Sequence, residues 1–335
     1  MQSHGTRHEP PPWTAAAWRP RADAWIDGEL ARRGLQRAGP SVPRVRPWSL
    51  VMEVPTTRGS CWFKTTAPLM ANDAGLSPIL AAAAPDLLVT PLAADPARRW
   101  MLLPDGGARL RDVADERTLL EHWERILPRY AELQLALTGR EAELLAAGAL
   151  DHRPERLPAL LRDALGEEAW LRVDAPDGLS GDQLAALRGL APRLVGAAQE
   201  LAGAGIGPSI QHDDLHDGNV LVADDADRIV DWGDAGLAHP FGTLLVTLRS
   251  VADALSLAED APELLRLRDA YLEPFTASAT PSRLRELVRL ATWTGILGRV
   301  AIWRAALRHA GPGELDAWKT AVPEWLAELL ATTPA

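Results

Sequence analysis

The sequence is poor in cysteine and in long apolar runs, and each shortage excludes a class of protein. A lone cysteine, Cys61, cannot form an internal disulfide framework and suits a reducing compartment, so we expect a cytoplasmic protein. No stretch approaches the ~18 consecutive apolar residues of a membrane span. The polar, proline-rich start "MQSHGTRHEPPPW" has no signal-peptide core. We therefore expect no membrane partner.

Positive charge is also scarce. The 35 basic side chains are outnumbered by 45 acidic ones, which gives a formal net charge of −10 at pH 7. Coating nucleic acid requires clustered basic groups, so we expect no nucleic-acid partner, and no obligate protein partner is evident. Of the basic residues only Lys64 and Lys319 are lysines. Against so many arginines, a lysine marks a place where arginine is unsuitable, provided that a second observation supports it.

The length of 335 residues predicts two lobes. Residues 1–19 are expected to be a flexible N-terminus. Residues 20–104 would form a first, nucleotide-binding lobe, and residues 105–335 a second lobe for catalysis and substrate binding. The turn-rich "PDGG" (104–107) is the predicted break between them.

Short strand patterns dominate the first lobe. "SLVMEV" (49–54) and "CWFKTT" (61–66) flank a turn in which Gly59 allows positive φ, and this pattern predicts a hairpin. "LLVTPL" (87–92) and "WMLL" (100–103) are predicted as further strands. The leucine- and alanine-rich stretch between these two pairs predicts a helix. The first lobe should therefore be a small antiparallel sheet with one helix.

Helix patterns dominate the second lobe. Apolar residues recur every three or four positions over 119–130, "SGDQ" (180–183) has the form of a capping box, and Thr280 caps a further helix. One pair of strands interrupts the helices, because "NVLV" (219–222) and "RIVDW" (228–232) predict a β-hairpin.

Ligand-capable chemistry is concentrated in the loop before that hairpin, "QHDDLHDGN" (211–219). Three interpretations compete. His212 and His216 are four residues apart and could hold a metal on one helix face, as in a metal-dependent hydrolase, but the "DGN" that follows favours a turn. A polar turn without chemistry is the second interpretation. A phosphoryl-transfer loop is the third.

Phosphoryl transfer requires a carboxylate at the acceptor hydroxyl, oxygen ligands for Mg²⁺ and a cation on the nucleotide phosphates. Asp214 and Asn219 lie five residues apart on one loop, and Asp231 returns beside Asn219 on the hairpin. In the first lobe Lys64 follows the glycine-containing turn, and its compact ammonium suits phosphate contact. The scarcity of lysine then has a reason, so we prefer this interpretation.

"HDDLHDGN" followed by "IVDWGDAG" resembles the catalytic loop and metal-binding segment of the aminoglycoside phosphotransferase-like kinases, small-molecule relatives of protein kinases. Their loop pattern H-x-D-x-x-x-x-N is matched by His212, Asp214 and Asn219, and Asp231 matches the aspartate of their D-x-G-type segment. The resemblance implies an α+β, bilobal, protein-kinase-like fold. It also implies an ATP- or GTP-dependent kinase that phosphorylates a hydroxyl of a small molecule such as an aminoglycoside, a sugar or an amino alcohol.

The resemblance also implies roles in the second lobe. Asp214 would be the catalytic base, Asn219 and Asp231 would hold Mg²⁺, and His212 would support the catalytic loop. His216 is expected to brace the loop rather than react.

In the first lobe, the resemblance implies that Lys64 contacts the nucleotide phosphates beneath the turn at Gly59 and Ser60. Backbone groups around Leu103–Asp105 would receive the purine. Asp73 stands where such kinases carry a glutamate that pairs with the lysine, and it is one methylene shorter. This departure leaves open a non-catalytic nucleotide-binding protein of the same fold.

Overall fold

The first lobe is built on a five-stranded antiparallel sheet with strand order β1-β2-β3-β5-β4. The computed structural model describes residues 8–223 and 226–334 of the chain. The strands are β1 (Pro43–Val45), β2 (Ser49–Thr56), β3 (Gly59–Thr66), β4 (Ala93–Asp95) and β5 (Trp100–Pro104). β2 and β3 form the predicted hairpin, and Gly59 at its turn has a φ of 101°. The predicted antiparallel sheet is therefore confirmed.

Two helices, rather than the one predicted, lie in the described part of this lobe: α1 (Trp18–Ala31) and α2 (Asp73–Ala83). α1 was missed because its buried residues form a stripe only one residue wide, and because the segment also contains a proline and a glycine. That stripe packs on Phe63 and Leu102 of the sheet. Its members recur every four positions and are Trp18, Ala22, Ile26 and Leu30.

Part of the segment 1–19, which is predicted to be flexible, contacts the folded protein at a few points, among them Glu9, Trp13 and Trp18. Residues 1–7 lie outside the described residues. The backbone N–H of Glu9 donates to the carbonyl of Arg308 at 2.9 Å. Trp13 and Trp18 pack edge to face, with ring centroids 6.4 Å apart. Burial of these indoles provides the stabilisation that holds the segment in place.

The prediction of a strand at 87–92 is wrong. Leu87, Leu88 and Val89 are buried, but the run carries only one bridge, from Leu88 to Ile229 of the second lobe. A short apolar run does not distinguish a strand from other buried segments. Pro91 lacks a backbone N–H and restricts the residue before it, so the ladder begins later, at β4.

The second lobe is mostly helical, as predicted. Its helices are α3 (Leu110–Val113), α4 (Glu116–Leu137), α5 (Glu141–Ala147), α6 (Leu157–Gly166), α7 (Glu168–Leu171), α8 (Gly181–Gly189), α9 (Ala191–Ala202), α10 (Leu244–Leu255), α11 (Pro262–Leu272), α12 (Pro281–Arg308), α13 (Pro312–Trp318) and α14 (Ala321–Ala331). Ser180 and Gln183 form the predicted capping box at α8, and the Thr280 side chain caps α12. Among the described helices, none is both long enough and apolar enough to cross a membrane.

Two small sheets carry the loops of the second lobe, with strand orders β10-β9-β6 and β7-β11-β8. Their strands are β6 (Ala108–Arg109), β7 (Leu150–Asp151), β8 (Ser209–Gln211), β9 (Val220–Ala223), β10 (Ala226–Ile229) and β11 (Gly236–Ala238). β9 and β10 form the predicted hairpin, and residues 224–225 of its turn lie outside the described residues. The loop 212–219 therefore joins β8 to β9, and Asp231 follows β10.

Candidate active site

Hydrogen bonds of His212 fix the shape of the loop 212–219. Its Nε2–H donates to the carbonyl of Val230 at 2.9 Å, and its Nδ1 accepts from the backbone N–H of Asp214 at 3.3 Å. The backbone N–H of His212 donates in turn to the hydroxyl of Tyr130. Burial lowers the pKa of His212, so the ring is neutral at neutral pH. The imidazole thus connects the loop to the end of the hairpin.

Asn219 closes the same loop. Its side-chain amide donates to the carbonyl of Asp214 at 2.9 Å, and no described residue donates a hydrogen bond to its Oδ1. His216 accepts from the backbone N–H of Gly218 at 3.0 Å through Nδ1, and its Nε2 lies 3.4 Å from Asp214 Oδ2. The side chain of Asn219 therefore lies beside Asp214 within the loop.

The Asp214 carboxylate is partly open to solvent, with 33% of its side chain exposed. Arg299 Nη2 lies 3.3 Å from its Oδ1. Burial would raise the pKa of Asp214, but the Arg299 guanidinium and the neighbouring His216 hold that pKa well below its ordinary value. Asp214 is therefore an ionised carboxylate at neutral pH.

Lys64 lies between two carboxylates from different lobes. Its Nζ is 2.6 Å from Asp231 Oδ1 and forms a second ion pair with Asp73 Oδ2. Asp73 reaches the lysine although its side chain is shorter than that of glutamate. It is the first residue of α2, and the Ser77 hydroxyl donates a hydrogen bond of 2.6 Å to its Oδ1. Burial would lower the pKa of Lys64, but Asp231 and Asp73 raise that pKa above its ordinary value, so the side chain is an ammonium.

Asp231 occupies a left-handed backbone conformation with a φ of 70° directly after the hairpin. Its side chain is 48% exposed even though Oδ1 contacts Lys64. Burial would raise the pKa of Asp231, but the charge and hydrogen bond of Lys64, together with the nearby His212, outweigh it, and the net shift is downward. Asp231 and Asp214 line one cleft of about 40 Å³ together with Thr66 of the first lobe. The lobes therefore face each other across a group of carboxylates.

A second, nearly closed cavity, of about 10 Å³, adjoins Asp231 on the side of β5. Leu103 lines it with Met101 and Val89, so its walls are largely apolar. Asp105 is not among its lining residues, and the Asp105 carboxylate instead accepts from the backbone N–H of Gly107 at 3.1 Å. Of the predicted purine-binding segment, only Leu103 thus reaches the cavity with its side chain.

Gly59 and Ser60 lie at the exposed tip of the β2–β3 hairpin. Ser60 donates to Glu53 at 2.6 Å and is on the same face of β3 as Lys64. Five residues of extended strand separate Gly59 from Lys64, a distance of roughly 16 Å. The structure therefore brings Lys64, Asp73, Asp214 and Asp231 together but leaves the hairpin tip at the edge of the group.

The side-chain oxygens of Asn219 and Asp231 are of the kind that suits Mg²⁺. Asn219 offers Oδ1 and Asp231 offers the carboxylate oxygen that does not contact Lys64. Hard oxygen ligands of this kind, few in number and completed by substrate phosphates, are typical of Mg²⁺ sites in kinases.

A histidine-based metal site is not formed by the described residues, which contain no group of three or more His, Cys, Asp or Glu side chains able to hold a metal. His212 and His216 do not share a helix face, because their segment is a loop followed by a 3₁₀ turn. Each ring is also engaged by the backbone, His212 at Val230 and His216 at Gly218. The geometry therefore disfavours the hydrolase interpretation.

Sequence reasoning missed two arginines at the site. Arg111 of α3 contacts Asp217 at 2.7 Å and His216 Nδ1 at 2.9 Å. Arg299 of α12 contacts Asp214 and Asp234, and the only local signal for it is a basic residue within the apolar stretch "ILGRVAI". Burial raises the pKa of Asp234 to about 7, against the opposing influence of the Arg299 guanidinium.

A larger open pocket, of about 390 Å³, lies on the other side of Asp214. The catalytic loop and α3 form one wall, α10 forms the opposite wall through Arg249 and Asp253, and Trp325 of α14 closes the end. The Arg249 guanidinium lies 4.7 Å from the centre of the Trp325 ring. Asp214 thus separates a small cleft shared with the first lobe from a roomier pocket between helices.

A family model described as the phosphotransferase enzyme family matches residues 63–287. This chain belongs to that family. The predicted family resemblance and the predicted enzyme class, a small-molecule kinase, are thereby confirmed. No curated protein matches the chain significantly.

Solved structures with low sequence identity share the fold. A choline/ethanolamine kinase family protein from Mesorhizobium loti superposes with a TM-score of 0.62 at 17% identity, over 94% of this chain and 95% of that chain. An amicoumacin kinase in complex with AMP-PNP, Ca²⁺ and Ami gives 0.57 at 12% identity, over 94% and 96%. The macrolide 2'-phosphotransferase of Brachybacterium faecium gives 0.54 at 16% identity, over 89% and 97%. The predicted α+β, protein-kinase-like fold is confirmed.

Proposed function

We propose that this phosphotransferase moves the γ-phosphoryl group of ATP or GTP to a hydroxyl of a small molecule, in a Mg²⁺-dependent reaction with Asp214 as the base. One observation carries the proposal. Lys64 forms ion pairs with Asp73 of the first lobe and Asp231 of the second lobe, and Asp231 lines a cleft together with Asp214. Such a convergence of a cation with carboxylates is the equipment that phosphoryl transfer requires.

The first lobe would bind the nucleotide. Lys64 would contact the phosphates while Asp73 holds its ammonium in place, and the turn at Gly59 and Ser60 would cover the phosphates. The apolar side chains around Leu103 suit contact with a purine ring, for which this small cavity would have to widen, with backbone groups of 103–105 as hydrogen-bonding partners. The amicoumacin kinase structure, which contains AMP-PNP and Ca²⁺, supports a nucleotide and a divalent cation as components of this fold.

Asn219 and Asp231 would hold Mg²⁺. When bound, the cation would supply positive charge that offsets the negative charge of the transferring phosphoryl group. In the same site, the nucleotide phosphates would replace Asp231 as the second partner of Lys64, so that Asp231 can turn its carboxylate to the cation.

Asp214 would orient the acceptor hydroxyl and receive its proton. The depressed pKa of Asp214 makes it a weak base, which suits a loose transition state in which the hydroxyl loses its proton late. The acceptor would enter through the pocket of about 390 Å³, which lies within the size range of small-molecule sites. Aminoglycosides, sugars and amino alcohols are the acceptor classes to test.

The experiment is a screen for ADP and GDP release over a panel of these hydroxyl compounds, followed by Asp214→Ala with the best acceptor. We expect the substitution to lower kcat by ~10²–10⁴, as for a positioned base, while nucleotide affinity is retained. Full activity of the variant would refute the assigned role. The non-catalytic alternative rested on the short side chain of Asp73, and the ion pair of Asp73 with Lys64 removes that reason.

A further inference from the structure

One buried arginine connects the two acidic segments of the active site. Arg299 comes from α12, and its Nη1 donates to the backbone carbonyl of Asp213 at 2.7 Å. The same nitrogen lies 3.0 Å from Asp234 Oδ2, and Nη2 lies 3.3 Å from Asp214 Oδ1. The guanidinium therefore contacts both the loop that carries Asp214 and the segment that follows Asp231.

Two glycines of α12 lie close to these segments, and at Gly298 an added methyl group would be tightly crowded. A Cβ at Gly298 would lie 3.1 Å from His152 Nδ1 and 3.6 Å from Asp213 Oδ1. A Cβ at Gly295, one turn earlier, would lie 3.6 Å from the Cα of Gly242. The helix thus lies directly against the layer that supports the catalytic loop, and Arg299 extends from this contact towards the carboxylates.

The charges explain why an arginine is stable at a position that is only 6% exposed. A buried guanidinium is unfavourable unless it is paired and hydrogen bonded. Here Asp214 and Asp234 flank it, and the backbone carbonyl of Asp213 accepts one of its hydrogen bonds. A planar fork can contact several oxygens at fixed angles, whereas an ammonium offers a single point of charge.

We propose that Arg299 is a positioning residue, which holds the Asp214 carboxylate in its productive orientation and fastens the catalytic loop to the segment after Asp231. The inference rests on the proposed function. Arg299 makes no contact with Lys64 or Asp73, so its loss should slow the transfer step without weakening nucleotide binding.

The test compares Arg299→Met and Arg299→Lys with Arg304→Met. Arg304 is the matched control, since it is a buried arginine of the same helix whose partner is Glu167, at 2.8 Å, rather than an active-site residue. We expect Arg299→Met to lower kcat about 100-fold, because a misplacement of about 1 Å costs that much, with the KM for nucleotide unchanged. Arg299→Lys should recover part of the loss, and Arg304→Met should lower thermal stability alone.

Hydrogen exchange provides a readout that does not depend on activity. Arg299→Met should increase amide exchange in 213–219 and 231–236, and Arg304→Met should not.

If the wild type phosphorylates no acceptor, the proposed function fails, while the exchange data still decide whether Arg299 orders the loop. If Arg299→Met does not fold, Arg299→Lys decides in its place. Wild-type kcat and exchange in the folded variant, or a change confined to the KM for acceptor, would overturn the inference.

Discussion

Two ionisable side chains of this protein are equally buried but differ in their charge. Lys64 is 5% exposed and remains an ammonium, because Asp73 and Asp231 both contact it. His239 is equally buried, but its Nε2 has no hydrogen-bond partner among the described residues, and burial lowers its pKa to about 3. The carboxylates that keep Lys64 charged have no counterpart at His239, so the imidazole is neutral in the folded protein.

We expect His239 to make the protein less stable in acid. In the unfolded chain the imidazole has its ordinary pKa of 6.5 and binds a proton as the pH falls below that value, whereas the folded state does not bind it until about pH 3. Burial of the neutral imidazole therefore leaves the free energy of unfolding unchanged above pH 6.5 and reduces it progressively as the pH falls from 6.5 towards 3. Between pH 7 and pH 5 the wild type should lose about 2 kcal/mol more unfolding free energy than His239→Gln.

Urea unfolding of both proteins at several pH values measures this difference. The comparison between pH 7 and pH 8 is the internal control, since the imidazole is neutral in both states there and the two curves should run nearly parallel. Parallel curves down to pH 5 would contradict the assignment.

At the scale of single elements, α2 brings Asp73 to Lys64 and is placed by a close contact with α5. A Cβ at Gly75 would lie 2.2 Å from the backbone carbonyl oxygen of Ala147, at the end of α5. Since this obstacle is backbone, it cannot rotate away as a side chain would. The absence of a side chain at position 75 therefore determines how closely the two helices pack.

We expect Gly75→Ala to reduce the free energy of unfolding by ~1–3 kcal/mol, the usual cost of overpacking. Gly196→Ala is the matched control, because Gly196 is an exposed glycine within α9, and no neighbouring atom lies within 4 Å of the place that an added methyl group would occupy. There alanine should stabilise by ~0.5–1 kcal/mol through helix propensity. Equal urea midpoints for Gly75→Ala and the wild type would show that α2 can move without cost.

Elements with local signals were predictable from the sequence. The β2–β3 hairpin depends on a turn glycine, and the start of α8 depends on Ser180 and Gln183, all of which are neighbours along the chain. The spacing within 212–219 likewise placed Asp214 and Asn219 on one loop.

Features that depend on distant partners were not predictable in this way. The position of Arg299 is explained only by its contacts with Asp213 and Asp234, which are 86 and 65 residues away. α1 has a narrow apolar stripe that becomes informative only against the sheet it covers. The run 87–92 is apolar because it packs between the lobes, not because it forms a ladder.

At the scale of the whole molecule, the lobes are joined at a second place beside the cleft. Trp48, which precedes β2, packs against Trp303 of α12 and Trp318 of α13, with ring centroids 5.7 and 5.8 Å apart. Met70 adds an apolar contact with Ile302 of α12. Together with the ion pair between Lys64 and Asp231, these contacts couple the sheet to the C-terminal helices.

We therefore expect the lobes to unfold as one cooperative unit, and Trp48→Ala to weaken that coupling. Trp48 also lines the cleft that contains Asp214 and Asp231, so its loss removes apolar contact at the junction itself. In differential scanning calorimetry the wild type should give one transition, with equal calorimetric and van't Hoff enthalpies. The variant should give a broadened or divided transition, because the sheet can then unfold before the helices.

Trp170→Ala provides the control, since Trp170 is a half-buried indole of α7 within the second lobe, and its loss should lower Tm without dividing the transition. A single sharp transition in Trp48→Ala would mean that the ion pair and the remaining apolar contacts suffice to couple the lobes.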